Sequence, residues 1–388
     1  MRYLFLIIFL NVAVATSIAQ PYQIGHITAT FIDSSRSNRS IPTEIYYPAD
    51  MTGDNVGFAA AIAGKVPAIS FGHGFVMTYD AYFNVRDAVV NAGYIIAFPT
   101  TEGSLSPSHS AFGLDLAYVL KRVAVLGNTT TSVLYNKVDT VNCVMGHSMG
   151  GGAAFLAAAA DNTIKSIVTL AAAETTPSAV AASASITAPG LVFAGVNDCV
   201  SPPAANQLLM YNDLASACKQ YIGIVGGSHC QMADASTTCS FGEATCTPTP
   251  TISRAVQQAV IDTYLVPWLN YHLKGDCIAG NHFDTKLMSD AAITYLKNCI
   301  LCGTASVAGT THRLPASLYP NPCSNELHIS LPSTKKYSLL ILTLTGVTIY
   351  SADINGDTII PMNDFASGIY IYELVAEDLN QKGIIVKE

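Results

Sequence analysis

One stretch constrains this chain more than any other. An apolar run, Val141-Asn-Cys-Val-Met, meets Gly146-His147-Ser148-Met149-Gly150, and a run of small residues over positions 151–160 follows at once. The run has the apolar character of a buried strand, and the small residues have the pattern of a helix. A serine between two glycines at such a strand-to-helix junction sits on a turn too sharp for a Cβ at either neighbour. The turn lifts the Ser148 hydroxyl clear of the sheet, and the helix start aims its free N–H groups at the same place. Ser148 is therefore a candidate nucleophile, and the remaining chain must supply a base and a polarising site.

Around that junction short apolar runs alternate with helical spacings. The runs are Pro67-Ala-Ile-Ser-Phe71, Tyr94-Ile-Ile-Ala-Phe98, Ile164-Lys-Ser-Ile-Val-Thr-Leu170, Gly190-Leu-Val-Phe-Ala-Gly195 and Gln220-Tyr-Ile-Gly-Ile-Val225. Helices are expected over 79–92, 108–126, 202–216 and 253–274, with a surface loop over about 240–252. The alternation predicts an α/β architecture: a doubly wound, mostly parallel sheet covered on both faces. Residues 23–48 alternate apolar and polar positions around Asp33-Ser-Ser-Arg36, as an antiparallel hairpin at a sheet edge does. In such sheets ligands gather beyond the carboxyl ends of the strands.

A serine nucleophile needs a histidine base, and the base needs an orienting carboxylate. Asp198 follows the strand ending at Gly195, and His229 follows Gly226-Gly227-Ser228 beyond the next strand. That gives the order Ser148, Asp198, His229. The blander reading of Asp198 is a cap on the segment entering Pro202; that of His229 is a core or surface histidine. Two backbone N–H groups should hold the oxyanion, one from Met149 and one from Phe75 in the loop Gly72-His73-Gly74-Phe75. His73 precedes the serine and reads as a brace for that loop, and His147 as a structural residue beneath the nucleophile. This chemistry calls for no metal or organic cofactor.

A length of 388 residues predicts two domains. Residues 1–19 have the arginine, apolar core and small-residue site of a signal peptide. The first domain is expected over 20–302, a linker of small and polar residues over 303–314, and a strand-only β-sandwich over 315–388, with turns at Thr345-Gly346 and Asn355-Gly356-Asp357. A net charge of −8 without a basic block argues against a nucleic-acid partner. Ten cysteines in an exported chain read as a partial disulfide set. Local spacing suggests Cys199 with Cys218, Cys230 with Cys239 and Cys277 with Cys299, although spacing does not determine connectivity. Cys143 reads as a buried free thiol. A zinc site is the rival reading, but only Cys299 and Cys302 have the C-x-x-C spacing.

The order Ser148, Asp198, His229 together with Gly72-His-Gly-Phe75 resembles the α/β-hydrolase superfamily. Within it, Gly146-His-Ser-Met-Gly-Gly-Gly152, Asn197-Asp198 and Gly226-Gly-Ser-His229 are similar to the dienelactone-hydrolase-like esterases, a group that includes chlorophyllase-like and cutinase-type polyester hydrolases. The resemblance covers about residues 23–275 and implies ester hydrolysis through an acyl-enzyme. Dienelactone hydrolases carry cysteine as nucleophile, and this chain carries serine. Polyester hydrolases place a tryptophan beside the cleft; here the single tryptophan is Trp268, and the matching neighbourhood is Thr175-Thr-Pro-Ser178. A carboxylesterase- or lipase-like enzyme is thus the first reading, acting on small-molecule or lipid esters, with polyester cleavage as the alternative. A non-catalytic cell-surface binding protein is the alternative of another class. The tail, with Leu318-Tyr-Pro-Asn-Pro322 and Gly368-Ile-Tyr370, resembles the C-terminal sorting domain of type IX secretion in Bacteroidetes. That likeness implies the secretion machinery as partner and a secreted or surface location. The catalytic chain is expected to be a monomer.

Overall fold

The structure, a computed structural model, describes residues 22–302, 316–331, 336–343, 348–376 and 379–388. The expected signal peptide, the linker over 303–314 and the Thr345-Gly346 turn lie outside these residues. The chain forms two compact units, Met1–Cys302 and Gly303–Glu388.

The first unit runs β1 (Gln23–Asp33), β2 (Arg39–Ala49), β3 (Gly53–Asp54), β4 (Val66–Gly72), α1 (Phe83–Asn91), β5 (Ile95–Pro99), α2 (His109–Leu126), β6 (Val138–His147) and α3 (Met149–Ala160). It continues through β7 (Ile167–Leu170), α4 (Ala179–Ser183), β8 (Gly190–Gly195), α5 (Gln207–Asp213), β9 (Lys219–Ile224), α6 (Thr237–Glu243), α7 (Arg254–Lys274), α8 (Cys277–Ser289) and β10 (Ile293–Lys297). The ten strands form one sheet in the order β10-β9-β8-β7-β6-β4-β5-β2-β1-β3. Neighbours from β5 through β9 run parallel, while the β1–β2 hairpin, the β2–β5 contact and the β9–β10 contact are antiparallel. This is the doubly wound, mostly parallel arrangement that the alternation of runs predicts, and the α/β-hydrolase fold that the resemblance implies.

Each face of the sheet has its own core. Phe112 and Leu116 of α2, Phe155 of α3 and Met210 of α5 pack on one face. Val85 and Val89 of α1, Tyr264 and Trp268 of α7 and Phe283 of α8 pack on the other. Trp268 is fully buried there, its Nε1–H donating to Ser166 Oγ at 3.1 Å, so the only tryptophan is a core residue. The glycines and alanines of α3 let that helix lie unusually close to the sheet. A Cβ on Gly151 would come within 2.8 Å of the Ala172 Cβ.

Several boundaries differ from expectation. The helix expected over 202–216 is a 3₁₀ turn at Pro203–Ala205 followed by the short α5, because the chain must kink where Asn206 adopts φ −130°, ψ −89°. The loop expected over 240–252 begins as helix α6, capped by the Ser236 hydroxyl. Helix α8 and strand β10 are additions; β10 (Ile-Thr-Tyr-Leu-Lys) is a short edge strand exposed at three of its five positions, two of them the apolar Tyr295 and Leu296.

The disulfides are Cys199–Cys246, Cys218–Cys299, Cys230–Cys239 and Cys277–Cys302, and Cys143 is a buried free thiol. The Cys230–Cys239 pairing stands as expected; Cys199–Cys218 and Cys277–Cys299 do not form. Cys218 precedes β9 and Cys299 follows β10, and antiparallel pairing of Gln220 with Lys297 sets the two cysteines opposite each other. Among the described residues no group of His, Cys, Asp or Glu could hold a metal, and no helix is long and apolar enough to cross a membrane.

Among the described residues the second unit contains strands only: β11 (Ser317–Tyr319), β12 (Glu326–Ser330), β13 (Lys336–Thr343), β14 (Thr348–Asn355), β15 (Thr358–Pro361), β16 (Gly368–Ala376) and β17 (Leu379–Lys387). They form a three-stranded sheet, β11-β12-β15, and a four-stranded sheet, β14-β13-β16-β17. Leu327, Ile329, Leu339, Ile341 and Leu374 are buried in one shared core, and the alternation of buried and less buried positions along β12 and β13 is the period-two pattern of a sandwich face.

Candidate active site

Strand β6 ends at His147, helix α3 begins at Met149, and Ser148 between them has φ 55° and ψ −122°. That backbone region strains any residue with a Cβ, and such strain persists only where the surroundings enforce it. Here they do. The Ser148 N–H donates to Leu170 O at 3.0 Å, and its carbonyl accepts from the N–H groups of Gly152 and Ala173. The flanking glycines are needed because backbones cross at the turn: a Cβ on Gly146 would stand 2.2 Å from Gly150 O, and one on Gly150 2.1 Å from Gly72 O.

Asp198 lies three residues beyond β8. Its Oδ1 accepts the N–H groups of Val200 (2.9 Å) and Ser201 (2.8 Å), and its Oδ2 lies 2.8 Å from His229 Nδ1. Asp198 Oδ1 thus braces the turn over residues 200–201 rather than capping the 3₁₀ turn that starts at Pro203, and Oδ2 faces the His229 ring. His229 Nε2 lies 2.9 Å from Ser148 Oγ. The three side chains form one hydrogen-bonded line, and all three residues are buried, with Ser148 the most accessible at 8%. From α7, Gln257 clamps the turn that carries the histidine, accepting the Ser228 N–H at 2.9 Å and donating to the Ser228 carbonyl at 2.8 Å.

Two further histidines, His73 and His147, brace the backbone around the nucleophile. His73 is buried, and its Nε2 bonds the Thr101 carbonyl at 2.8 Å, tying the loop after β4 to the segment after β5. His147 is fully buried beneath the nucleophile. Its Nε2–H donates to His229 O at 3.2 Å and its Nδ1 accepts from the Tyr82 hydroxyl at 3.0 Å. Burial, with His229 as neighbour, holds its pKa well below the usual histidine value, so the ring is neutral and suits both roles. The Tyr82 oxygen in turn accepts the Gly74 N–H at 2.7 Å. A buried chain therefore runs from Gly74 through Tyr82 and His147 to the backbone of His229.

Phe75 and Met149, the residues expected to offer oxyanion N–H groups, line one cleft together with Ser148. The cleft has a volume of about 480 Å³, with walls from Leu105, Pro107, His109, Glu174 and Val200. The first wall is backed by ions. Arg39 makes two-pronged contact with the buried Asp115 carboxylate and also donates to Glu102, whose other oxygen accepts the Ser108 N–H. Segments 101–110 and 174–188 supply most of these walls together with Val200 and Ser201, and residues 231–250 supply none. Tyr82, Gln257 and Glu174 were not legible as site residues, since each is a lone polar residue without a motif, and only the folded chain brings it to the site.

A family model described as PET hydrolase-like matches residues 16–246, more than half of the chain. A second, described as a secretion system C-terminal sorting domain, matches residues 317–388. The tail domain is of the type IX kind and marks the protein for secretion or display at the cell surface. With an α/β-hydrolase sheet, a serine on its central turn and these two matches, the chain belongs to the PET hydrolase-like family of ester hydrolases.

Proposed function

We propose that this protein is a serine carboxylic ester hydrolase working through an acyl-enzyme. The observation that carries the reading is the buried line Asp198–His229–Ser148, closed at 2.8 and 2.9 Å on a serine with positive φ. His229 Nε2 takes the proton as Ser148 Oγ attacks the ester carbonyl, and Asp198 keeps the Nδ1–H tautomer in place. The Met149 and Phe75 N–H groups face the developing alkoxide, each worth about 3 kcal/mol or more of transition-state stabilisation. His229 then hands its proton to the departing alcohol, and water repeats the sequence on the acyl-enzyme. No step calls on a metal or an organic cofactor, and a monomer holds every residue used.

The test is Ser148→Ala. Turnover of p-nitrophenyl butyrate should fall about 10⁴-fold or more while the circular dichroism spectrum is unchanged. Wild-type-like turnover in that variant would sink the reading. Absence of fluorophosphonate labelling of the wild-type serine would instead favour a non-catalytic binding protein.

A second, narrower reading is that the ester belongs to a polyester. It is favoured by the PET hydrolase-like match and by the exposed apolar side chains Phe75, Leu105 and Val200 at the cleft. Soluble aromatic acids released from a polyester film by the wild type, and not by Ser148→Ala, are the expected result; turnover of soluble esters alone removes this narrower reading.

A further inference from the structure

We propose that Glu174 sets the charge preference of the cleft, favouring neutral or cationic acyl groups over anionic ones, an inference that rests on the esterase reading above. Glu174 lines the same cleft as Ser148. Its backbone is bound tightly to the nucleophile: the preceding Ala173 N–H donates to Ser148 O at 2.9 Å, and the Glu174 N–H donates to Asn206 Oδ1 at 2.9 Å. Gln207 holds the next turn of chain, its Nε2–H₂ donating to Ala172 O at 2.6 Å and to Ser201 O at 3.1 Å. The side chain is oriented as well, because one carboxylate oxygen accepts the Val180 N–H at 3.1 Å. Glu174 is exposed to solvent, so its charge stands at the open mouth of the cleft, oriented by that bond.

Nothing in the cleft offsets it. Among the lining residues only His109 has another ionisable side chain, and its Nδ1 is taken up as acceptor of the Thr176 N–H at 3.1 Å. No Lys or Arg pairs with Glu174 among the described residues. The rest of the wall is apolar or carries hydroxyls. An acyl chain bearing its own carboxylate must therefore bring a second negative charge into a cleft that already has one and no counter-ion. At a partly screened site, two like charges within one cleft repel enough to lower kcat/KM about three- to tenfold.

The experiment compares three p-nitrophenyl esters that share a leaving group: the butyrate, the hemisuccinate and the 4-(trimethylammonio)butyrate. Two variants accompany the wild type. Glu174→Gln removes the charge while its amide oxygen still accepts from Val180, and Glu174→Asp keeps the charge while shortening the reach. In Glu174→Gln, kcat/KM for the anionic ester should rise about three- to tenfold relative to the butyrate, and that for the cationic ester should fall. Glu174→Asp should retain the wild-type ratios, and 0.5 M NaCl should move the wild type part of the way toward Glu174→Gln. Equal changes for all three esters in Glu174→Gln, or the same altered ratio in Glu174→Asp, would overturn the proposal and leave the esterase reading standing. No turnover of any ester by the wild type would overturn both.

Discussion

Replacing Tyr82 by phenylalanine removes a single oxygen atom from the centre of the buried chain that runs from Gly74 to His229. The ring stays, packed against Phe71 at a centroid distance of 4.7 Å, so no large cavity opens. Three groups lose a contact: the Gly74 N–H, at 2.7 Å, His147 Nδ1, at 3.0 Å, and the weak acceptor Met77 Sδ, at 3.2 Å. Each lies in dry surroundings, and an orphaned buried group costs about 1–3 kcal/mol. The phenylalanine recovers part of this because no hydroxyl need be desolvated, which leaves a net loss of about 2–3 kcal/mol. The catalytic consequence follows from position. Gly74 precedes Phe75, a proposed oxyanion donor, and His147 holds the carbonyl of His229. Loosening both should lower kcat about tenfold, a fraction of what deleting one donor costs, with KM within twofold because no cleft-lining side chain changes. Urea unfolding followed by tryptophan fluorescence reads the first quantity, and p-nitrophenyl butyrate kinetics the second. Stability within about 0.5 kcal/mol of wild type and an unchanged kcat would refute the reasoning, because a chain that transmits nothing would be ordinary packing.

A buried histidine and a disulfide give two further expected outcomes. Burial lowers the His272 pKa to about 4, against about 6.5 when unfolded, so the unfolded chain takes up the proton first; stability is full above about pH 6.5 and is lost as pH falls toward 4. The loss between pH 7 and 5 should be about 2 kcal/mol, and His272→Gln should flatten that part of the curve; a slope equal to wild type's would rule this out. The Cys199–Cys246 bridge closes a loop of 47 residues, so replacing both cysteines by serine should cost about 4 kcal/mol, seen as a lower Tm, and an unchanged Tm would contradict it.

Much of this fold is legible in the residues because the signals are strong where the sheet is buried on both sides. Runs such as Tyr94-Ile-Ile-Ala-Phe98 admit little but a central strand, and β5 occupies Ile95–Pro99. The pieces around Ser148, Asp198 and His229 are legible for a related reason, since each hangs directly after such a strand. The edges are different. Strand β10 is a short, largely solvent-exposed edge strand, and without it the pairing of Cys218 with Cys299 has no basis in local spacing. Cys246 returns to Cys199 because the chain folds back over the Asp198 turn, where Asn197 Nδ2–H₂ donates to Thr249 O at 2.7 Å. That return is a tertiary contact with no local pattern. The Tyr82–His147 chain is hidden for the same reason, its members being 65 residues apart.

The sheet order also ranks the parts of the site by how far each stands from a fraying edge. Strand β6, which carries Ser148, has four strands on one side and five on the other. At about 4.8 Å per strand, the nearer edge is roughly 19 Å away. Asp198 follows β8 and His229 follows β9, and β9 has only β10 between it and solvent. Local opening begins at edges, and amide protons there exchange through small fluctuations while those of central strands wait for global unfolding. The base is thus seated on the least protected of the three strands. The chain places a covalent bond at that weak margin: Cys218–Cys299 joins the residue before β9 to one just after β10. Peeling the edge strand away would require the adjoining chain to come with it, so the margin nearest His229 opens as one piece or not at all.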